Sequence, residues 1–436
     1  MAQLNGTHEA GRRSWIEAAN GDTDFPLQNL PHGVFSRGGA RRGGVAIGDM
    51  ILDMAAALDA GLFRAELLDV ARAAAAPELN SLLESAPDAV AALRVRIQQL
   101  LEKGAPEQGR VSELLVPMSE AELHLPARIG AFTDFMTSAP HIAGSRPARP
   151  EGGKLPPCFW SLPIAYNSRA SSVVVSGTPL ERPHGQYPVE GEARFGPTRS
   201  LDFELEFACV IGPGNRLSQP IRLDDARAHI FGYCLLNDWS ARDFQWWESV
   251  LGPFQAKAFR TTVSPWIVTA EAMAPFRKPL PPRPGDAPRP PVHLHSAAND
   301  AEGGLAIRFE AHLLTSAMRE AGAKPFRLTD TSFDAGSWSF EQMVTHHAIG
   351  GCNLEPGDLL SSGTLSDEAL ESAGCLVERT GGRVPVELAN GETRLWLEDG
   401  DELVITGRAE REGFRPIGFG PCAGRVIPAV AFTPAA

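Results

Sequence analysis

The chain has 436 residues, 43% of them hydrophobic and 21% charged, with a formal net charge of -13. That length exceeds the roughly 100–200 residues of one typical domain, so two domains are expected. The composition is that of an ordinary soluble globular protein, the acidic balance argues against a nucleic-acid partner, and no run of about 18 apolar residues offers a transmembrane helix.

Met1-Ala2-Gln3-Leu4-Asn5-Gly6 lacks the basic-then-apolar order of a secretory signal. The six cysteines, Cys158, Cys209, Cys234, Cys352, Cys375 and Cys422, form no CxxC pair. Most sit among apolar neighbours and read as small buried hydrophobes, so a reducing cytoplasm is expected.

Gly33-Val34-Phe35 and the segment from Gly44 to Leu52 read as short strands with turns between them. From Asp53 to Lys103 the chain is rich in Ala and Leu at helical spacing. The stretch from Ala89 to Leu101 is the clearest amphipathic case, and Gly104-Ala105-Pro106 ends it. After about residue 126, short β-branched or apolar runs dominate, among them Ser172–Val175, Phe207–Ile211 and Glu402–Ile405. A mainly-β larger domain is therefore expected. Gly212-Pro213-Gly214-Asn215 is a tight turn whose glycines lack the spacing of a nucleotide loop. The proline- and arginine-rich stretch from Pro275 to Pro291 reads as an exposed loop within that domain.

The densest chemistry lies in Leu201-Asp202-Phe203-Glu204-Leu205-Glu206-Phe207, where acids alternate with apolar residues. In a strand this period puts Asp202, Glu204 and Glu206 on one face and the apolar residues on the other. The apolar run Ala208–Ile211 carries the strand toward the interior, where neighbouring carboxylates are costly unless a cation neutralises them. An acidic outer face on an edge strand fits the pattern equally well.

Asp134, between two phenylalanines, and Asp238, at the end of an apolar run, are two further acids in apolar surroundings. An all-oxygen set of Asp134, Glu204, Glu206 and Asp238 suits Ca²⁺ or Mg²⁺ and not Zn²⁺, although each acid alone fits a cap or turn. His141, seven residues after Asp134, is either a general base or a solvated loop histidine. His346 and His347 are read as structural. Lys257, flanked by apolar residues, would need an anionic partner if buried. Thr261, Thr262 and Thr364 carry hydroxyls of the kind that cap turns. There is no G-x-S-x-G elbow, which argues against a serine hydrolase.

Taken together, these segments resemble the fumarylacetoacetate hydrolase family. The resemblance is carried by Asp24–Phe35, Gly44–Asp49, Arg169–Pro179, Gly212–Leu217, Leu236–Asp243 and Thr262–Trp266. Thr345-His346-His347, Gly351–Leu354, Pro356–Leu360 and Ile417–Gly420 extend it, so it runs from about residue 15 to the end. It implies a mainly β (α+β) chain. An N-terminal extension (1–14) would precede a small SH3-like domain with helices (15–125) and a large mixed β-sandwich roll that carries catalysis (126–436).

The family's activity implies a metal-dependent hydrolase that cleaves a carbon–carbon bond in a 1,3-diketo acid. In the family, fumarylacetoacetate gives fumarate and acetoacetate, the last step of tyrosine and phenylalanine breakdown. A cytoplasmic homodimer is implied, with neither nucleic acid nor membrane as partner. Carried over residue by residue, Asp134, Glu204, Glu206 and Asp238 match the acids that hold Ca²⁺ or Mg²⁺, and oxygen donors also admit Mn²⁺. His141 matches the water-activating base and Glu378 the acid that orients it. Lys257 and Thr261 match residues near a second, structural cation, with Lys257 also polarising the reacting oxygen. Tyr166, Gln245 and Thr364 match substrate contacts.

Four departures stand out. Met136 and Ser249 replace two substrate-facing tyrosines, and Arg260 replaces a glycine before Thr261. The loop from His141 to Tyr166 is one residue shorter, which puts the substrate-carboxylate arginine at Arg149 or Arg146. The metal and base positions are intact. The competing expectations are an acylpyruvate or other diketone hydrolase, a decarboxylase or isomerase on the same metal core, and a non-catalytic metal-stabilised scaffold. An intact base argues against the scaffold.

Overall fold

The computed structural model describes residues 4–144 and 153–432. The N-terminal strands form an antiparallel set: His32–Ser36, Arg42–Ile47, Met50–Asp53, Leu115–Pro117 and Glu122–His124. Helices fill the long connection after Met50–Asp53. Asp53 caps the first, Met54–Asp59, by accepting from the amides of Ala55 and Ala56. Pro87 opens the longest, Pro87–Leu101, at the helix position where a missing N–H costs nothing. Its buried stripe of Val90, Leu93, Ile97, Leu100 and Leu101 is the one the apolar spacing predicts.

These strands join a 13-stranded sheet that continues through Trp266–Thr269, Ile230–Asp238, Leu205–Ile211, Leu359–Ser361, Phe132–Met136 and Ile164–Asn167. Most neighbours on this path are antiparallel, but Leu359–Ser361 runs parallel to Phe132–Met136. A second sheet of six strands is built on Phe326–Ser332, Ile307–Leu314, Glu402–Ala409 and Cys422–Ile427. The two sheets pack face to face. A Cβ on Gly407 of the second would lie 2.8 Å from Leu235 Cδ2 of the first, so a larger residue there would force the Leu235 side chain to shift.

Side-chain alternation in the central strands decides where the acids go. Leu205, Phe207, Cys209 and Ile211 enter the core between the sheets together with Leu235 and Phe309. Ala208 and Val210 of the same strand enter a second core, shared with the N-terminal strands and helices. Glu206 is on this second face. So are Asp238, whose strand neighbour Leu236 belongs to the second core, and Asp134, whose neighbour Phe132 does. Three strands of one sheet thus project acids from one face, beyond the edge of its apolar packing.

Three local expectations change. The acid-rich stretch is not one continuous strand: Leu201–Asp202 pairs with Ser240–Ala241, the chain breaks at Phe203 and Glu204, and the ladder resumes at Leu205. The Pro275–Pro291 segment begins inside the protein, with Pro275, Phe276 and Arg277 buried, because Arg277 is needed as the partner of buried Glu341 at 2.6 Å. His141 is on a short helix, Ala139–Gly144, and not on a solvated loop.

Candidate metal and catalytic site

Asp134, Glu204, Glu206 and Asp238 are all buried, and each offers a carboxylate oxygen within 4.8 Å of the others. Backbone register brings them together: Ser361 pairs with Asp134, Leu236 with Glu206 and Thr261 with Asp238. Ser361 donates to Asp134 Oδ1 at 2.8 Å and Thr261 to Asp238 Oδ1 at 2.9 Å. Tyr166 donates to Asp238 Oδ2 at 3.2 Å. Lys257 Nζ lies 2.5 Å from Glu204 Oε2 and 2.9 Å from Asp238 Oδ2. Arg242 donates to Glu204 Oε1 at 2.7 Å and to Asp202 Oδ2 at 2.9 Å. Asp202 therefore stays beside Glu204 but outside the four-acid cluster.

The electrostatics are uneven. Burial pushes the Asp134 carboxyl up to about 7, helped by the charge of Asp238. Burial and the neighbouring acids Asp134 and Asp238 hold Glu206 well above the carboxylate range. For Glu204 burial works the same way, but Lys257 and Arg242 outweigh it and hold the carboxyl below its usual value. Both Glu206 oxygens are buried without a hydrogen-bond partner among the described residues. Isolated buried carboxylate oxygens are expensive. Fully ionised, the four clustered acids would exceed the two cations facing them by at least two negative charges, which is why Asp134 and Glu206 resist ionising without a further cation. A hard divalent cation is what such an all-oxygen set fits.

His141 faces this cluster from the Ala139–Gly144 helix. Its Nδ1 lies 2.5 Å from Glu378 Oε1, and its Nε2 is 3.9 Å from Glu204 Oε1. Glu378 sits on the helix Leu376–Thr380, whose first amides, Leu376 and Val377, donate to Asp202 at 2.8 and 3.1 Å. Asp202 thus ties the helix of Glu378 to Arg242 and, through it, to Glu204. A cavity of about 200 Å³ opens onto the cluster and is lined by His141, Tyr166, Gln245, Lys257, Thr364 and Met136, among others.

Two family models match the chain: "Fumarylacetoacetase N-terminal" over residues 28–126 and "Fumarylacetoacetate (FAA) hydrolase C-terminal" over residues 145–427. A fumarylacetoacetase of Oryza sativa is 41% identical over 436 residues, covering 96% of this chain and 98% of the relative. That of Homo sapiens is 43% identical over 432 residues, covering 96% and 99%. The chain belongs to the fumarylacetoacetate hydrolase family. At the level of fold alone, a fumarylacetoacetate hydrolase from psychrophilic Exiguobacterium antarcticum superposes with a TM-score of 0.50 at 17% identity, covering 92% of this chain and 99% of that one.

Within this family fold, every described residue singled out from the sequence as a catalytic, metal or substrate candidate borders the cavity or its acid cluster, except Glu378, which lies behind His141. Arg149 and Arg146 lie outside the described residues. Thr364 Oγ1 is buried beside the cavity with no hydrogen-bond partner among the described residues. Ser249 lines the cavity but turns its hydroxyl to the backbone oxygen of Gln245, and Met136 offers no hydroxyl. Arg260 pairs with Glu181 at 2.5 Å.

Sequence reasoning missed Arg242. It donates to Gln245 Oε1 at 3.0 Å as well as to Glu204, and its Nη2 is buried without a partner among the described residues. Because a guanidinium only donates, Gln245 must present its oxygen to Arg242, which leaves its amide NH₂ free to donate elsewhere. The available signal was position: Arg242 follows Asp238 by four residues in the motif Leu236–Asp243.

Proposed function

We propose that the chain hydrolyses the carbon–carbon bond of a 1,3-diketo acid, with fumarylacetoacetate and water giving fumarate and acetoacetate. The observation that carries this reading is the hydrogen-bonded His141–Glu378 pair set against the four-acid cluster. Relatives named fumarylacetoacetase, more than 40% identical over nearly the whole chain, support the same substrate.

Glu378 accepts the Nδ1 proton of His141, so the Nε2 lone pair is free to take a proton from water. The hydroxide attacks the fumaryl carbonyl carbon. Lys257, Arg242 and the amide of Gln245 are the donors near the developing oxyanion. The carbon–carbon bond then breaks with its electron pair on the acetoacetate fragment as an enolate, and protonated His141 returns the proton to carbon. Asp134, Glu204, Glu206 and Asp238 would hold Ca²⁺ or Mg²⁺, which when bound supplies Lewis-acid polarisation of the diketone oxygens.

Family resemblance adds a second cation near Lys257 and Thr261. The Lys257 side chain is itself a cation: burial opposes its charge, but Asp238 and Glu204 overcome this and hold its pKa above the ordinary value. An ammonium has no lone pair, so Lys257 would serve a metal only through its backbone oxygen. The same resemblance supports a cytoplasmic homodimer acting last in tyrosine and phenylalanine breakdown. No helix among the described residues is long and apolar enough to cross a membrane.

Fumarate and acetoacetate should appear on incubation with fumarylacetoacetate, cease with EDTA and return with Mg²⁺ or Ca²⁺. Full turnover by His141→Ala would overturn the base assignment. A second reading, a diketone hydrolase preferring another acyl group, is favoured by Met136 and Ser249. With no phenol at either position, two hydrogen bonds to substrate are lost, each worth roughly 0.5–1.5 kcal/mol. Met136→Tyr/Ser249→Tyr should then raise kcat/KM for fumarylacetoacetate relative to acylpyruvates. Equal turnover by the wild type and the double variant would count against this reading.

A further inference from the structure

Glu378 does not hold His141 unaided. Its Oε1 accepts three hydrogen bonds: from His141 Nδ1 at 2.5 Å, from Ser366 Oγ at 2.9 Å and from Cys375 Sγ at 2.9 Å. Ser366 has no freedom in this. Its Oγ accepts from the Gly374 amide at 2.9 Å, so its single proton points to Glu378. Ser138 closes the loop on the other side, donating to the Ser366 carbonyl at 2.7 Å and accepting from the His141 amide at 3.2 Å. Ser366 and Cys375 are both essentially without solvent exposure.

We propose that Ser366 and Cys375 are positioning residues of the catalytic base, whose hydroxyl and thiol pin Glu378 Oε1 against His141 Nδ1. Neither residue touches the cavity. Each acts through the carboxylate, which in turn fixes the ring plane and the tautomer of His141. Three donors on one oxygen also lower its basicity, so the shared proton stays on the imidazole and Nε2 stays the free base. Burial, and then the charge of Glu378, keeps the Cys375 thiol well above its usual pKa, which makes it a stable S–H donor.

The trio His141, Cys375 and Glu378 also has the composition of a soft-metal site. However, a zinc ion sits about 2.0–2.3 Å from each ligand atom. The His141 and Glu378 atoms, 2.5 Å apart, already share a proton and would have to separate to admit one. Cys375 Sγ also lies 4.0 Å from His141 Nδ1, but that nitrogen already donates to Glu378 and cannot accept the thiol proton, which goes to Glu378 Oε1 at the shorter 2.9 Å.

This proposal rests on His141 being the base, and its test separates the two ideas. Cys375→Ala is expected to lower kcat on the diketo acid about 5- to 10-fold with KM within about twofold, the effect of one ordinary hydrogen bond, since a thiol is a weak donor. Cys375→Ser, which keeps a donor, should recover most of that loss. Ser366→Ala should match Cys375→Ala, but it also orphans the Gly374 amide, so the cysteine series is the safer arm. In a Glu378→Gln background neither substitution should lower kcat further, because the path through the carboxylate is already cut. A purely structural role would instead lower thermal stability and leave the effects additive. The proton NMR signal of His141 Nδ1 supplies a readout independent of turnover. It should be visible and slow to exchange in the wild type, and shifted or lost in Cys375→Ala. An unchanged resonance, or undiminished kcat in Cys375→Ala, overturns the positioning role. An inactive wild type whose resonance still responds would overturn the diketone reading and leave the positioning role standing.

Discussion

At the residue scale, Glu206 is a costly side chain to bury. Its neighbours Asp134 and Asp238 are acids, both its oxygens lack partners among the described residues, and burial holds its pKa well above normal. Glu206→Gln removes that penalty and also removes a ligand. The variant should therefore be at least as thermally stable as wild type in EDTA. Wild type should gain stability on adding Ca²⁺ or Mg²⁺, by about 2.7 kcal/mol at a hundred times the Kd. Glu206→Gln should lose most of this gain, as read by melting temperature with and without metal. A variant that keeps the full metal-dependent rise would remove Glu206 from the site. The four acids were legible as individuals because each sits among apolar residues. Their union was not, since Asp134 and Asp238 are about a hundred residues apart and meet only through strand register; the family resemblance supplied it. Cys375 read as a small buried hydrophobe, since a thiol declares itself a donor only once an acceptor is placed beside it.

At the scale of elements, the strand Leu205–Ile211 links core and site, because Leu205 and Phe207 enter the core between the sheets while Glu206, between them, faces the acid cluster. Phe207 packs against Tyr233, Phe309, Phe333, Phe340 and Phe419, with ring centroids 5.0–6.1 Å apart. Phe207→Ala should cost about 3–5 kcal/mol. It should also weaken metal binding, because Glu206 is the adjacent residue on the same strand. An unchanged urea midpoint would show that the aromatic cluster does not hold this strand. The period-two pattern made the strand legible but hid the break at Phe203 and Glu204. That break comes from tertiary demand: Asp202 caps the helix of Glu378 and binds Arg242, neither of which is close in sequence.

At the scale of the whole molecule, composition announced helices early and strands late. It could not announce that the two parts share a sheet. The seam is two residue pairs, His32 with Ile267 and Gly33 with Trp266. Gly33 permits it, since a Cβ there would lie 2.5 Å from the Trp266 ring. His32 makes the seam sensitive to acid. It is buried, its Nδ1 has no partner among the described residues, and it meets the Phe231 ring edge-on at 6.3 Å. Burial, and then the charge of the nearby Arg94 guanidinium, together lower its pKa to about 4. Above pH 6.5 His32 is neutral in both folded and unfolded chains, and stability does not depend on it. As pH falls from 6.5 toward 4 the unfolded chain takes a proton that the folded chain refuses, so stability is lost across that window. Below it both forms are protonated and the loss stops growing. The full effect is on the order of 3 kcal/mol. His8, also lowered by burial and by Arg94, adds to the same slope from the neighbouring N-terminal segment. His32→Gln, which cannot titrate, should therefore flatten the fall in urea midpoint between pH 7 and pH 4.5. Parallel pH profiles for wild type and variant would mean that the acid sensitivity of the protein lies elsewhere than at this seam.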